Sequence, residues 1–334
     1  MHAAGETMER GDRLVVAVDA MGGDHGPAVV VPGAVDAARD PDGPAVALYG
    51  DPEAIGRALA ELDAGDLPVA VVPCSQQIGM GEHPAAAIKN RPDAPVVRAF
   101  QDHRAGDVHA VVSAGSTGAM AAGGLLLLGR LPGVERPAIG TVIPTLERPF
   151  LLLDAGANVQ ATPEQLLAFA RMGEVFARLV LEVAAPRIAL LNIGEEPTKG
   201  TDLTVRAHAL LAESGLPFAG NIEGRDLLLG RADVVVTDGF TGNVVLKTLE
   251  GLVLFLQAAA RAGGGDTASG SLAGLMDRMD YTAYGGALLL GVRGNPVIAH
   301  GSSNRRAIAN AVRTAARLAR RDVPRHLAEA LAGA

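Results

Sequence analysis

Cys74 is the only cysteine in this sequence, so an internal disulfide is excluded and a reducing compartment is expected. No Cys/His cluster has metal-ligand spacing, and neither a structural zinc nor any other metal is expected. The segment VVPCSQQ offers Cys74 no nearby base or cation, so the thiol reads as a small buried group and not as a nucleophile. Tryptophan is absent, and no basic block or basic-aromatic stripe interrupts a chain of net charge -8, so nucleic acid is not expected as a partner. The opening MHAAGETMERGDR has no apolar stretch of the kind a secretory leader carries. No apolar run approaches the roughly 20 residues that cross a bilayer. A cytoplasmic protein is expected. Three catalytic signatures are also missing: the GxSxG elbow of an acyl-serine enzyme, the P-loop spacing, and GxGxxG after the first strand, where the sequence reads DAMGGDHGP.

What is abundant is small and apolar. Hydrophobic residues make up 49% of the chain and glycine occurs 42 times, a balance that suits helices packed closely on a buried sheet. Short runs rich in Val, Leu and Ile recur with helical patterns between them: LVVAV at 14–18, AVALYG at 45–50, PVAVV near Val69, VHAVVS ending at Ser113 and AIGTVIP near Val142. FLLLD, RIALLN, DVVVTD, GALLLGV and PVIAH continue the series. Strands without polar alternation predict an α/β fold whose sheet is covered on both faces. Thr162-Pro163-Glu164-Gln165 predicts the start of a long helix through Leu181, with Thr162 as N-cap and Pro163 at the first helical position. Residues 1–12 are expected to form a flexible N-terminus. Residues 13–334 form one α/β catalytic unit, built either as one body or as two intertwined subdomains. Glycine breaks at 263–265 and 285–286 are expected to flank a helical projection near 251–280.

Chemistry-bearing residues cluster after the strands, in DAMGGDHGP, SAGSTGAM, LDAGAN, NIGEEPTKG, GNIEGRD, DGFTGN and HGSSN. In open α/β sheets ligands collect beyond the carboxyl ends of strands, where free backbone N–H groups meet bound anions. Gly115-Ser116-Thr117-Gly118 supplies glycines for close approach and two hydroxyls for phosphate oxygens. Thr241-Gly242-Asn243, ahead of a helix bearing Lys247, repeats the arrangement after another strand. His25, with Asp24 placed to orient its ring, and His300, before Gly301-Ser302-Ser303-Asn304, are the candidate acids. Each also fits an ordinary turn histidine. Lys199, between Glu195-Glu196 and Gly200, reads either as a salt-bridged loop lysine or as an electrophile toward a phosphate or thioester oxygen.

Taken in order, VAVDAMGGDHGP, SAGSTGA, LDAGAN, NIGEE with a following Lys-Gly, GNIEG, DGFTGN with LKTLEG, YGGA with LLG, and HGSS with NA closely resemble the phosphate acyltransferase family of bacterial phospholipid synthesis. The resemblance runs from about Val16 to Val312. Two departures are Leu288, where the family usually has proline in YGGAPLLG, and KNRPDAPVV from Lys89, which lacks a serine pair. The resemblance implies a three-layer α/β/α, Rossmann-like sandwich similar to the phosphotransacetylase and isocitrate-dehydrogenase-like fold. It also implies a homodimer, loose attachment to the membrane surface, and acyl transfer from acyl carrier protein to inorganic phosphate without a cofactor. On that reading phosphate is held by the 113–118 and 241–243 loops and attacks the thioester directly, Lys199 or backbone donors steady the oxyanion, and His25 or His300 protonates the thiolate. Arg306, Arg313, Arg317, Arg320 and Arg321 fall on one face of the last long helix, opposite Ile308, Val312, Ala315 and Ala319. They form a candidate docking stripe for the acidic carrier, with a solvated face of paired arginines as the plainer reading. The alternatives are a phosphotransacetylase-like enzyme using coenzyme A thioesters and a nicotinamide-dependent oxidoreductase on a similar sheet.

Overall fold

The computed structural model describes residues 13–79, 81–145, 147–262 and 284–332. The expected flexible N-terminus, the 263–265 glycines and most of the expected projection lie outside these residues. The apolar runs form β1 (Val15–Asp19), β2 (Ala45–Gly50), β3 (Val69–Pro73), β4 (Ala110–Ser113), β5 (Ala138–Ile143), β6 (Phe150–Leu153), β7 (Ile188–Asn192), β8 (Phe218–Glu223), β9 (Val234–Val236), β10 (Ala287–Leu290) and β11 (Pro296–Ile298). The helices are α1 (Pro27–Ala38), α2 (Pro52–Ala60), α3 (Pro84–Asn90), α4 (Pro95–Ala105), α5 (Thr117–Gly123), α6 (Pro163–Leu179), α7 (Asp202–Glu213), α8 (Gly239–Ala262), α9 (Arg305–Arg320) and α10 (Val323–Ala332). At the start of α6, Gln165 N–H donates to Thr162 Oγ1 and Thr162 N–H donates to Gln165 Oε1, the reciprocal cap that the Thr-Pro-Glu-Gln sequence predicts.

Among the described residues, all eleven strands join one sheet in the order β3-β2-β1-β4-β11-β10-β5-β6-β9-β7-β8. Successive side chains on a strand feed two separate cores: Val16 and Val18 enter one while Ala17 enters the other, and Leu151 and Leu153 oppose Phe150 and Leu152. Helices α1, α6, α7, α9 and α10 cover the first face, and α4, α5 and α8 cover the second. This is the sheet covered on both faces that continuous apolar strands predict, and the three-layer sandwich that the family resemblance implies. Leu288, one of the two departures from the family pattern, sits inside β10, buried and paired to both Val297 and Gly140. It is a core residue and not part of a loop.

Strand direction corrects one expectation. Strands β3, β2, β1, β4 and β11 are mutually parallel, as are β6, β9, β7 and β8. Between the blocks, β10 pairs antiparallel to β11 and β5, and β5 pairs antiparallel to β6. Three reversals leave the two blocks running in opposite directions, so the polar clusters do not share one carboxyl edge. DAMGGDHGP, SAGSTGAM and HGSSN follow strands of the first block; LDAGAN, NIGEEPTKG and DGFTGN follow strands of the second. GNIEGRD begins inside the edge strand β8.

The fully buried Asp154, at the end of β6, ties β5 to the loop that follows β6. Its Oδ1 accepts the N–H groups of Ile139 at 3.0 Å, Gly156 at 3.1 Å and Ala157 at 2.9 Å. Its Oδ2 accepts Asn158 N–H at 2.6 Å and Asn158 Nδ2 at 2.9 Å. Replacing one oxygen by an amide turns two of these donors toward another donor. Asp154→Asn is therefore expected to cost about 2–6 kcal/mol in urea unfolding, because each of the two buried groups left unpaired costs about 1–3 kcal/mol.

Candidate active site

Over the faces of β10 and β5 lies a cavity of about 150 Å³, lined from four of the polar clusters. Its floor is the row of buried Thr141, half-buried Ala287 and buried Ile298, which are direct neighbours across β5, β10 and β11. Its rim is exposed and polar: Thr117 at the start of α5, His300 after β11, and Asn243 and Lys247 one turn apart on α8. Ser303 and Glu250 complete the polar lining, and Lys247 Nζ is held by Glu250 at 2.7 Å.

The local sequence explains each placement. The α8 helix starts at Gly239, earlier than expected, because the Asp238 carboxylate caps it. Asp238 accepts Thr241 N–H at 2.9 Å and the Thr241 hydroxyl at 2.7 Å, while Gly239 N–H donates to Asn158 O at 2.7 Å. Gly242 lies so close to the backbone of Asp154 that a side chain there would collide with its carbonyl. The expected phosphate loop Thr241-Gly242-Asn243 is thus a closed helix start whose donors are already used, and only Asn243 reaches the cavity. In the other expected loop, Ser116 Oγ caps α5 by accepting Ala119 N–H at 3.3 Å, Gly115 N–H donates to Ser113 Oγ at 3.0 Å, and Gly118 packs on Pro84. Only Thr117 lines the cavity.

His300 and His25 part company. His300 Nδ1 accepts Ser302 N–H at 3.2 Å and lies 2.8 Å from Ser302 Oγ. A backbone N–H can only donate, so the proton of the neutral ring sits on Nε2. His25 is exposed in the loop before α1 and lines none of the described cavities; among the described residues no hydrogen bond joins it to Asp24. The Asp24 N–H instead donates to Gly301 O at 2.8 Å, which ties the His25 loop to the His300 loop. Lys199 is exposed in the loop after β7, outside the cavity, and makes no side-chain ion pair among the described residues; Glu195 pairs with Arg231 at 3.4 Å. The cavity lysine is Lys247.

The stripe arginines lie at the surface of α9 and the turn after it, but three of the five are already engaged. Arg313 forms a forked pair with Asp40, with Nε at 2.7 Å and Nη2 at 3.0 Å. Arg321 pairs with Glu182 at 2.6 Å, and Arg320 donates to the Asp42 carbonyl. Arg305, which the stripe did not include, grips Asp36 on α1. Arg306 and Arg317 remain exposed without a carboxylate partner among the described residues. Cys74 is buried, and burial pushes its thiol up to about 11, in line with the inert reading. Thr141, an ordinary β-former inside a strand, gives no sequence signal of its place in the cavity, while Glu250 lies within LKTLEG without being singled out there.

A second cavity, of about 130 Å³, lies on the other side of the first turn of α5 and is lined by Asp19, Met21, Gln77, Ile78, Ser116 and Met120, among others. Here Ser113 Oγ donates to Asp19 Oδ2 at 2.7 Å and Met21 N–H donates to Oδ1 at 3.1 Å. Gly22 passes so close to Gly115 N that a Cβ would sit 2.7 Å from it. Burial without a cation raises the Asp19 carboxyl above its ordinary range, with the Ser113 bond opposing.

Among solved structures, the fold is similar to the EutD phosphotransacetylase from Staphylococcus aureus, with a TM-score of 0.61 at 16% identity over 92% of this chain and 95% of that one. It is equally similar to a phosphotransacetylase from Streptococcus pyogenes, with a TM-score of 0.62 at 17% identity over 92% and 94%. These fix the class as the phosphotransacetylase-like α/β fold. The family model described as "Fatty acid synthesis protein" matches residues 14–326. The phosphate acyltransferase of Heliobacterium modesticaldum is 48% identical over 310 residues, 90% of this chain and 92% of that protein. That of Desulforamulus reducens is 46% identical over the same shares. The chain belongs to this family, the phosphate acyltransferases, and is an enzyme of that type.

The raised Asp19 carboxyl has a pH signature. A group whose native pKa lies above its unfolded value contributes stability below the unfolded pKa, near 4, that is lost as pH rises through the native value. Asp19→Asn is expected to flatten that fall. Urea unfolding of both proteins across this window checks it; parallel pH profiles would show that Asp19 is not the group responsible.

Proposed function

We propose that the enzyme transfers a fatty acyl group from an acyl carrier protein thioester to inorganic phosphate, releasing acyl phosphate for phospholipid synthesis. The observation that carries the reading is the convergence of Thr117, Asn243, Lys247 and His300, from three separate sequence clusters, on the rim of one cavity. Two neutral donors, one ammonium group and one ring N–H suit a small tetrahedral oxyanion. A phosphate oxygen forms the bond to the thioester carbonyl carbon, the C–S bond breaks, and the proton that hydrogen phosphate sheds ends on sulfur. With Nδ1 accepting Ser302 N–H, His300 presents Nε2–H as a donor toward the charge developing on the leaving sulfur. Lys247 takes the electrophilic role assigned in sequence to Lys199.

The reading includes a cytoplasmic enzyme that forms a homodimer and rests at the inner face of the membrane. Along α8, Phe240, Val244, Leu254 and Phe255 are exposed by half or more. The window Gly239–Leu256 is long and apolar enough to cross a membrane by length and composition, which corrects the expectation of no such run. Its anchored first turn and its Lys247–Glu250 pair suit a surface helix that covers a partner or meets lipid. For the carrier, Arg306 and Arg317 are the stripe residues left free to act.

Labelled phosphate offered with acyl carrier protein and coenzyme A thioesters tests the donor. Acyl phosphate should form preferentially from the carrier, and preference for coenzyme A would return the phosphotransacetylase-like alternative. Within the rim, Thr117→Ala should raise the phosphate KM. Ser116→Ala should instead cost about 1 kcal/mol of stability, as loss of a helix cap does, with the phosphate KM unchanged.

A further inference from the structure

Thr141 is the anomaly of the central cavity. It is 6% exposed, and its Oγ1 has no hydrogen-bond partner among the described residues. Its neighbours in the floor row, Ala287 and Ile298, are apolar, as is Ile139 two residues back on the same face of β5. Valine would fill the same volume in that row and, as a β-branched residue, would suit the strand equally. Burying a hydroxyl without a partner is a net cost to folding, so its presence here calls for a group that is present only when the site is loaded.

The cavity geometry says what that group is. The rim donors, Thr117, Asn243, Lys247 and His300, approach from the two sides of the cleft, while Thr141 is the one hydroxyl on the floor. A ligand meeting all of them needs oxygen atoms pointing in several directions from one small centre, as a tetrahedral oxyanion has. The hydroxyl can donate to such an oxygen without adding charge to a cleft that already holds the Lys247–Glu250 pair.

We propose that the Thr141 hydroxyl is the floor contact of bound inorganic phosphate, donating to one phosphate oxygen and fixing the orientation of the others toward the thioester. The inference rests on the phosphate-acceptor reading and extends it to a specificity-determining residue outside every sequence motif of the site. A site built around a buried donor discriminates strongly, because any ligand without an oxygen at that point leaves the donor unpaired.

Thr141→Val removes the hydroxyl at constant shape and Thr141→Ser restores it. In Thr141→Val, kcat/KM for phosphate should fall about 10- to 100-fold, carried largely by KM for phosphate, with KM for the thioester little changed. Its Tm should be equal to or above that of the wild type, since an unpaired buried hydroxyl is gone. Inorganic phosphate titrated into the wild-type enzyme should raise Tm, and this rise should shrink in Thr141→Val and return in Thr141→Ser. Unchanged phosphate kinetics and an unchanged phosphate-induced rise in a folded Thr141→Val protein would overturn the proposal. Lys247→Ala separates the two levels. If it raises the phosphate KM while Thr141→Val does not, only the floor contact fails; if neither does, the placement of phosphate in this cavity fails as well.

Discussion

The Asp154 carboxylate is the constraint on which the site depends. Five hydrogen bonds converge on it from the start of β5 and from the loop at 156–158. The same loop then receives Gly239 N–H at the start of α8. One buried anion thereby sets the position of the β5 floor strand, the loop beside it and the helix that carries Asn243 and Lys247. The energetic logic is that of a carboxylate whose lost hydration is replaced by fixed amide donors. Gly242 is part of the same arrangement, since only a residue without a side chain lets α8 begin against Asp154.

The direction reversal gives the site its second property. In a sheet of one polarity, anion-binding loops line a single edge. Here two opposed blocks meet across β10 and β5, and the cavity opens over the sheet face between them. Thr117 and His300 come from the first block, Asn243 and Lys247 from the second. With Asp238 already closing the start of α8, the donors available to an anion are side chains one and two turns into that helix. The rim side chains are exposed while Thr141 is buried, so a hydroxyl on the floor discriminates more sharply than one on the rim.

The strands were legible because the sheet is covered on both faces and its apolar runs are unbroken. The exception was β8, an edge strand whose FAGNIE sequence is only partly buried and carries Gly and Asn in its middle. Strand direction was not legible, because it depends on pairing between residues as far apart as Ala287 and Thr141. Thr117, Asn243 and His300 lay in motifs and reached the cavity. Thr241, Ser116 and Gly115 lay in the same motifs, but their hydrogen-bonding groups are used internally. Lys199 attracted attention through its neighbours in sequence, while Lys247, inside an apolar helix pattern, received less. The pairing of Arg313 was not legible either, because its partner Asp40 lies just beyond the end of α1, 273 residues earlier in the chain.

The central claim is that phosphate occupies the cavity over β10 and β5, held between groups supplied by both blocks of the sheet. A crystal of the enzyme soaked in inorganic phosphate tests it most directly. Tetrahedral density is expected within hydrogen-bonding distance of Lys247 Nζ on one side and Thr117 Oγ1 on the other. Density confined to the Asp19 and Ser113 cavity, or to the loop of Lys199, with the central cavity holding only water, would contradict it.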